Sequence, residues 1–206
     1  MYPLFLRLHF LSDIENFTKY FKKYKYYYLD NKIDWKKISY QTLSEDFIRE
    51  FKDSVDWSAI SQYQTLSEEF IREFKDNVDW VYISQRQTLS EKFIREFKDH
   101  VDWSAISYYQ KLSEEFIKEF KDRVDWRKIS MCQKLPESFI REFKDRVDWY
   151  WISKRPHSLS EDFIREFKDS VNWYWISCHQ LSEDFRKEFR LPNVSAISQI
   201  TFFKRH

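Results

Sequence analysis

Not one glycine occurs in the 206 residues, and only four prolines and two cysteines do. Without glycine the chain has no Gly-rich phosphate loop or cofactor turn, and no connection that relies on a left-handed glycine. No apolar run approaches the about 20 residues needed to span a bilayer. The first eleven residues carry Arg7 and His9 and no small-residue cleavage site, so a secretory signal peptide is not expected. Neither sign of charge is in excess: 35 Lys and Arg face 34 Asp and Glu, a formal net charge of +1. That is not the footprint of a general nucleic-acid binder. Five histidines, His9, His100, His157, His179 and His206, are scattered. Cys178 and His179 are adjacent but lack the further ligands of a zinc site. No nucleophile–base pairing stands out, so neither catalysis, a metal nor a cofactor is expected.

What is present is repetition. The stretch LSEDFIREFKDSVDWSAISQYQ from Leu43 to Gln64 returns with its leucine at 66, 89, 112, 135, 159 and 181, in steps of 23, 23, 23, 23, 24 and 22 residues. A fixed period in this range marks a stacked repeat array. It overrides the one or two globular domains that the length alone suggests. Cys132 and Cys178 then lie two repeats apart. At about 9–10 Å per helical layer they are too far apart for a disulfide, and free thiols in a reducing compartment are expected.

Within one copy, Leu43, Phe47, Ile48, Phe51 and Val55 fall on one arc at about 100° per residue, with charged residues opposite. This predicts an amphipathic helix, here helix A, over 43–55. Ser44 is its N-cap, and Glu45 and Asp46 meet the positive end of its dipole. Asp56 caps a short helix B, in which Trp57, Ile60 and Ser61 share a face. Asp recurs at this cap at 34, 79, 102, 125 and 148, and Asn, which caps equally well, at 172 and 193. A 23-residue hairpin lies below the about 40 residues at which a domain can fold unaided. The predicted fold is therefore all-α: an α-solenoid of stacked helix–turn–helix repeats with degenerate terminal caps.

Three segments follow. Residues 1–33 are read as N-terminal capping helices, 34–198 as the solenoid and 199–206 as a tail. MYPLFLRLHF alternates like a strand, yet Phe5 precedes Leu11 as Ile60 precedes Leu66, which favours a degenerate helix B. One long helix is expected from about Asp13 to Leu29. Pro136 replaces the cap Ser at a place where proline is tolerated. Arg186 replaces the stripe's Ile, which suggests a terminal repeat whose outer face meets water.

Comparing the copies separates constant from variable positions. The helix-B serine (39, 61, 84, 107, 130, 153, 177, 198) is constant. It lets helices approach, and its hydroxyl can bond the carbonyl four residues back. Eight serines without a base are not a mechanism. On helix A, Glu45–Arg49 is a favourable pair, Arg49 is expected to reach Glu73 across layers, and Arg49 to compensate Asp53. The variable residues gather on the other face of helix B. Stacked, they would form a strip rich in Tyr, Trp and Arg, the types favoured in binding hot spots. The candidate partner-binding residues are Tyr82, Tyr108, Tyr109, Arg127, Tyr150, Trp151, Tyr174 and Trp175. Drift on a solvated face would look the same, and the wide rings would equally pack between neighbouring B helices.

The motif L-S-E-x-F-I-R-E-F-K-D-x-V-D-W-x-x-I-S resembles the repeats of uncharacterised proteins of giant DNA viruses that infect protists. The resemblance covers about Leu43 to Ser177 and implies no activity. It implies a viral protein made in a host cell, acting as an adaptor on host proteins or as a particle component. The expectation is a non-catalytic scaffold, located in the host cytoplasm or virion, with a protein or peptide partner and neither nucleic acid nor membrane. The alternative is structural self-assembly as a homo-oligomer.

Overall fold

The computed structural model of the chain describes residues 28–29, 32–33, 35–155 and 159–192. Among them are fourteen helices of one kind or the other and one two-stranded antiparallel hairpin, β1 (Tyr28–Leu29) with β2 (Lys32–Ile33). The A helices are α2 (Glu45–Glu50), α4 (Glu68–Glu73), α6 (Glu91–Glu96), α8 (Glu114–Glu119), α10 (Glu137–Glu142), α12 (Glu161–Glu166) and α14 (Glu183–Glu188). The B helices are α1 (Trp35–Ser39), α3 (Trp57–Tyr63), α5 (Trp80–Arg86), α7 (Trp103–Tyr109), α9 (Trp126–Cys132), α11 (Trp149–Lys154) and α13 (Trp173–Ser177). The chain forms two compact units, residues 1–102 and 103–206. In the first, α1, α3 and α5 lie side by side in sequence order; in the second, α7, α9, α11 and α13 do. The architecture is that of an α-solenoid of helix pairs.

At Ser44 and Asp56 the predicted caps form. Ser44 takes extended backbone and its Oγ accepts the Phe47 N–H at 3.3 Å. Asp56 Oδ1 accepts from Ser58 and Ala59, both at 3.1 Å. Helix A is shorter than expected. Regular α-helix stops at Glu50 because Phe51 leaves helical backbone (φ −112°, ψ 26°). The Phe51 carbonyl then accepts both the Ser54 and Val55 N–H groups, and the chain reaches helix B through these tight turns without glycine. Phe70, Ile71, Ile83, Phe93 and Ile94 of the first unit, and Phe116, Ile129, Ile152 and Phe163 of the second, are wholly buried.

The tryptophan that opens a B helix ties its own hairpin to the next, as Trp57 and Trp126 show. Trp57 Nε1 donates to the Lys52 carbonyl at 2.9 Å, and its ring lies 4.9 Å from Phe74 of the following copy. Trp126 repeats this with Lys121, at 2.8 Å, and with Phe143, at 4.9 Å.

Polar seams join the copies beside this core. Ser61 Oγ donates to the Trp57 carbonyl and accepts the Asp79 N–H. Gln64, 5 % exposed, accepts from Leu43 N at 2.9 Å and donates to the Gln41 and Ser39 carbonyls at 2.7 and 3.1 Å. Glu45 accepts the N–H of the next cap serine, Ser67, at 2.6 Å. Arg49 reaches Glu73 at 2.8 Å, as expected, and lies 5.0 Å over the Phe70 ring. Its same-helix partners are Glu45 and Asp46, not Asp53. The Glu73 bond holds the Arg49 guanidinium above its ordinary pKa. The second unit repeats the pattern with Gln133 on the Gln110 carbonyl (2.8 Å) and Arg141 on Glu166 (2.7 Å).

Two expectations need correction. Tyr28–Leu29 pairs with Lys32–Ile33, so a helix from about Asp13 does not run through Leu29; the rest of that helix lies outside the described residues, as does the C-terminal tail. Arg186 does not meet water: it is 6 % exposed. Its guanidinium donates to the carbonyls of Pro192 (2.6 Å), His179 (2.7 Å) and Ser177 (3.2 Å). A buried charge is tolerated there because it satisfies carbonyls left at a helix end.

Candidate interaction surface on the B helices

Helix B buries Ile60 and Ser61 and turns positions 58, 59, 62 and 63 away from that contact, which positions the variable residues. They are not equally open. Ala59 and Ala105 are buried. The larger residues at the same position, Tyr82, Lys128, Trp151 and Trp175, are half-buried. In the first unit, Tyr63 is exposed and its ring lies 5.0 Å from Tyr40. Tyr82 stands beside exposed Val81.

The second unit holds the other seven candidates. Tyr108 and Tyr109 are exposed, with their rings in an edge contact at 4.5 Å. Arg127 is exposed. Lys128 Nζ lies 2.5 Å from Ser104 Oγ and 5.9 Å over the Tyr108 ring. On α11 and α13, Tyr150 meets Trp151 at 5.2 Å and Trp175 at 5.9 Å, and Tyr174 meets Trp175 at 5.0 Å. All three contacts are edge-on, the arrangement the ring quadrupoles favour. Tyr150 and Tyr174 remain 43 % and 57 % exposed. The aromatic patch is thus a single connected cluster; its tryptophans are half-buried while its tyrosines stay open.

Lys154 completes the cluster, although it is not among the candidate partner-binding residues. Its Nζ sits 4.7 Å over both the Trp151 and Trp175 rings and 5.8 Å over Tyr150. The signal was there: Lys154 follows Trp151 by three residues and Tyr150 by four, which puts it on their face. Arg155, next in the chain, points elsewhere. It is half-buried and donates to the Ser130 and Ile129 carbonyls, taking over the backward reach that Gln64 and Gln133 make elsewhere. Burial pulls its pKa below the ordinary arginine value. Cys132 and Cys178 are exposed free thiols. Burial nonetheless pushes the Cys132 thiol up, against the pull of nearby Arg155 and Lys128.

Charge is segregated between the two kinds of helix. Among the described residues, no Asp or Glu occurs within any of the seven B helices, which carry Lys36, Lys37, Arg86, Arg127, Lys128 and Lys154. On the A helices the cations Arg49, Arg72, Lys118, Arg141 and Arg165 each pair with a carboxylate of the next copy or their own.

Among the described residues, no group of three or more His, Cys, Asp or Glu is placed to hold a metal ion, and no helix is long and apolar enough to cross a membrane. Compared with known protein families, with curated proteins and with solved structures, the chain matches none.

Proposed function

We propose that this protein is a non-catalytic repeat scaffold that holds a protein or peptide partner on the variable face of its B helices. The observation that supports this most is the connected cluster of Tyr150, Trp151, Tyr174 and Trp175 on adjacent helices, with both tyrosines open to solvent. Tyr and Trp supply large contact area at low conformational cost, which is why they anchor interfaces. Location in the host cytoplasm or the virion is part of the same proposal. It rests on the repeat's resemblance to viral proteins and on free thiols suited to a reducing compartment.

The test compares capture from host lysate by the native chain, by a Tyr150→Ala/Tyr174→Ala double variant and by an A-helix control, Glu69→Ala. Loss of specific partners by the double variant alone, with an unchanged circular dichroism spectrum, supports the reading; equal capture by all three overturns it. A second copy of the chain is the alternative occupant, since an open aromatic cluster can meet its own kind. Light scattering at high concentration tests it: an oligomer that the double variant abolishes replaces the scaffold reading with self-assembly.

A further inference from the structure

The candidate surface differs from the rest of the molecule in more than aromatic content. Between residues 103 and 177, helices α7, α9, α11 and α13 present Arg127, Lys128 and Lys154 and no acid. The cap carboxylates Asp125 and Asp148 are engaged with the N–H of Lys128, at 3.2 Å, and of Tyr150 and Trp151, at 3.0 and 3.3 Å. Asp125 also accepts from Ser104 Oγ at 3.3 Å. Lys128 and Lys154 contact a hydroxyl and ring faces alone, whereas Lys118 and Arg141 of the A helices also pair with carboxylates. Among the described residues, Arg127 and Lys154 therefore hold positive charge without an ion pair, and Lys128 reaches Asp125 only through the Ser104 hydroxyl; exposed Tyr150 and Tyr174 belong to the same face.

We infer that the B-helix face of the second unit binds an extended acidic peptide segment, its carboxylates meeting Arg127, Lys128 and Lys154 and its backbone or apolar side chains lying along Tyr150 and Tyr174. This inference rests on the scaffold reading and adds the partner's chemistry. Two observations favour a carboxylate-bearing peptide over a single-stranded nucleic acid. One face of each indole is taken by Lys154, so the stacking platforms that bases need are occupied. The exposed edges and hydroxyls of the tyrosines carry the positive end of the ring quadrupole and a hydrogen-bond donor, which suit a carboxylate. The spacing also sets a register. Packed helices lie about 8–10 Å apart and an extended chain rises about 3.3 Å per residue. An acid at every third position thus meets α9 and then α11.

Four synthetic probes, titrated into the full chain and followed by tryptophan fluorescence and calorimetry, test this. They are a peptide with Glu at every third position among Ser and Ala, the same peptide with Lys, the same with Gln, and an oligouridine of equal length. The Glu peptide binds saturably and weakens about tenfold or more as salt rises from about 50 to 300 mM, where screening becomes short-ranged. Arg127→Glu with Lys154→Glu loses the Glu peptide and takes the Lys peptide instead. Arg127→Glu alone, at an exposed position, weakens the Glu peptide and leaves the helical spectrum intact. The inference is overturned if the Gln or Lys peptide binds the native chain as tightly as the Glu peptide, if oligouridine binds more tightly, if charge reversal leaves the Glu peptide unaffected, or if no probe binds. Should no probe bind while Tyr150→Ala/Tyr174→Ala still abolishes lysate capture, this inference falls and the scaffold reading stands. Should the Glu peptide bind while that variant captures normally, the scaffold reading falls instead.

Discussion

Ser61 Oγ accepts the backbone N–H of Asp79, 18 residues ahead, at 2.8 Å, and donates to the Trp57 carbonyl at 2.7 Å. One hydroxyl thus closes its own helix and secures the first N–H of the next B helix. The same pair recurs as Ser39–Asp56, Ser84–Asp102, Ser107–Asp125 and Ser130–Asp148, and as Ser153–Asn172. Replacing Ser61 by Ala leaves that N–H without its acceptor. The expected loss is about 1–3 kcal/mol, measured as the shift in urea midpoint. Ser58→Ala, at an exposed position, should stay within about 0.5 kcal/mol.

Pro136 is the one N-cap of the described A helices that lacks a side-chain bond to its helix. Proline has neither the hydroxyl that caps nor the N–H that Glu45, Glu68, Glu137 and Glu161 take from the cap residue of the following copy. Pro136→Ser supplies both. Restoring a cap contributes about 1 kcal/mol, partly offset by about 0.4–1 kcal/mol of unfolded-chain entropy. Denaturant unfolding should therefore show a small net gain, with the slope unchanged.

Arg186 predicts the opposite of what the repeat pattern recommends. Arg186→Ile restores the residue that every regular copy has at that position, yet it leaves the Ser177, His179 and Pro192 carbonyls without their donor. A net loss of about 2–3 kcal/mol is expected. Equal or higher stability would mean that packing outweighs the hydrogen bonds there.

Cys132 offers a readout of the strip's local environment. With Cys178→Ser as background, alkylation of Cys132 by iodoacetamide should rise with pH to a midpoint above the ordinary 9.0, because burial disfavours the thiolate. Arg155→Gln removes a charge that pulls the thiol down, so the midpoint should move higher still.

The period, the two helices, their caps and the Arg49–Glu73 pairing were legible because each follows from local periodicity or from the repeat length itself. Gln64 was not. It is polar, next to a turn, and reads as a solvated linker residue; its partners Leu43 and Gln41 lie 21 and 23 residues back and become neighbours only after stacking. Arg186 misled for the same reason, since a polar residue on an apolar stripe looks like an exposed end until the carbonyls around it are placed. Part of the candidate surface was readable, because Tyr150, Trp151, Tyr174 and Trp175 recur at fixed positions. Their partition into open tyrosines and packed tryptophans depends on the distance between B helices, which periodicity does not encode. Tyr28–Leu29 falls at the end of the expected helix and pairs as a strand instead.

The central claim is that no hairpin holds its shape without a neighbour against it, since its tryptophan packs against the next copy's phenylalanine and its serine and glutamine bond across the seam. The most direct measurement is far-ultraviolet circular dichroism of the synthetic peptide 43–65 beside the intact chain, in water at 25 °C. The account predicts an unfolded spectrum for the peptide and a helical one for the chain. A peptide that is helical by itself would contradict it.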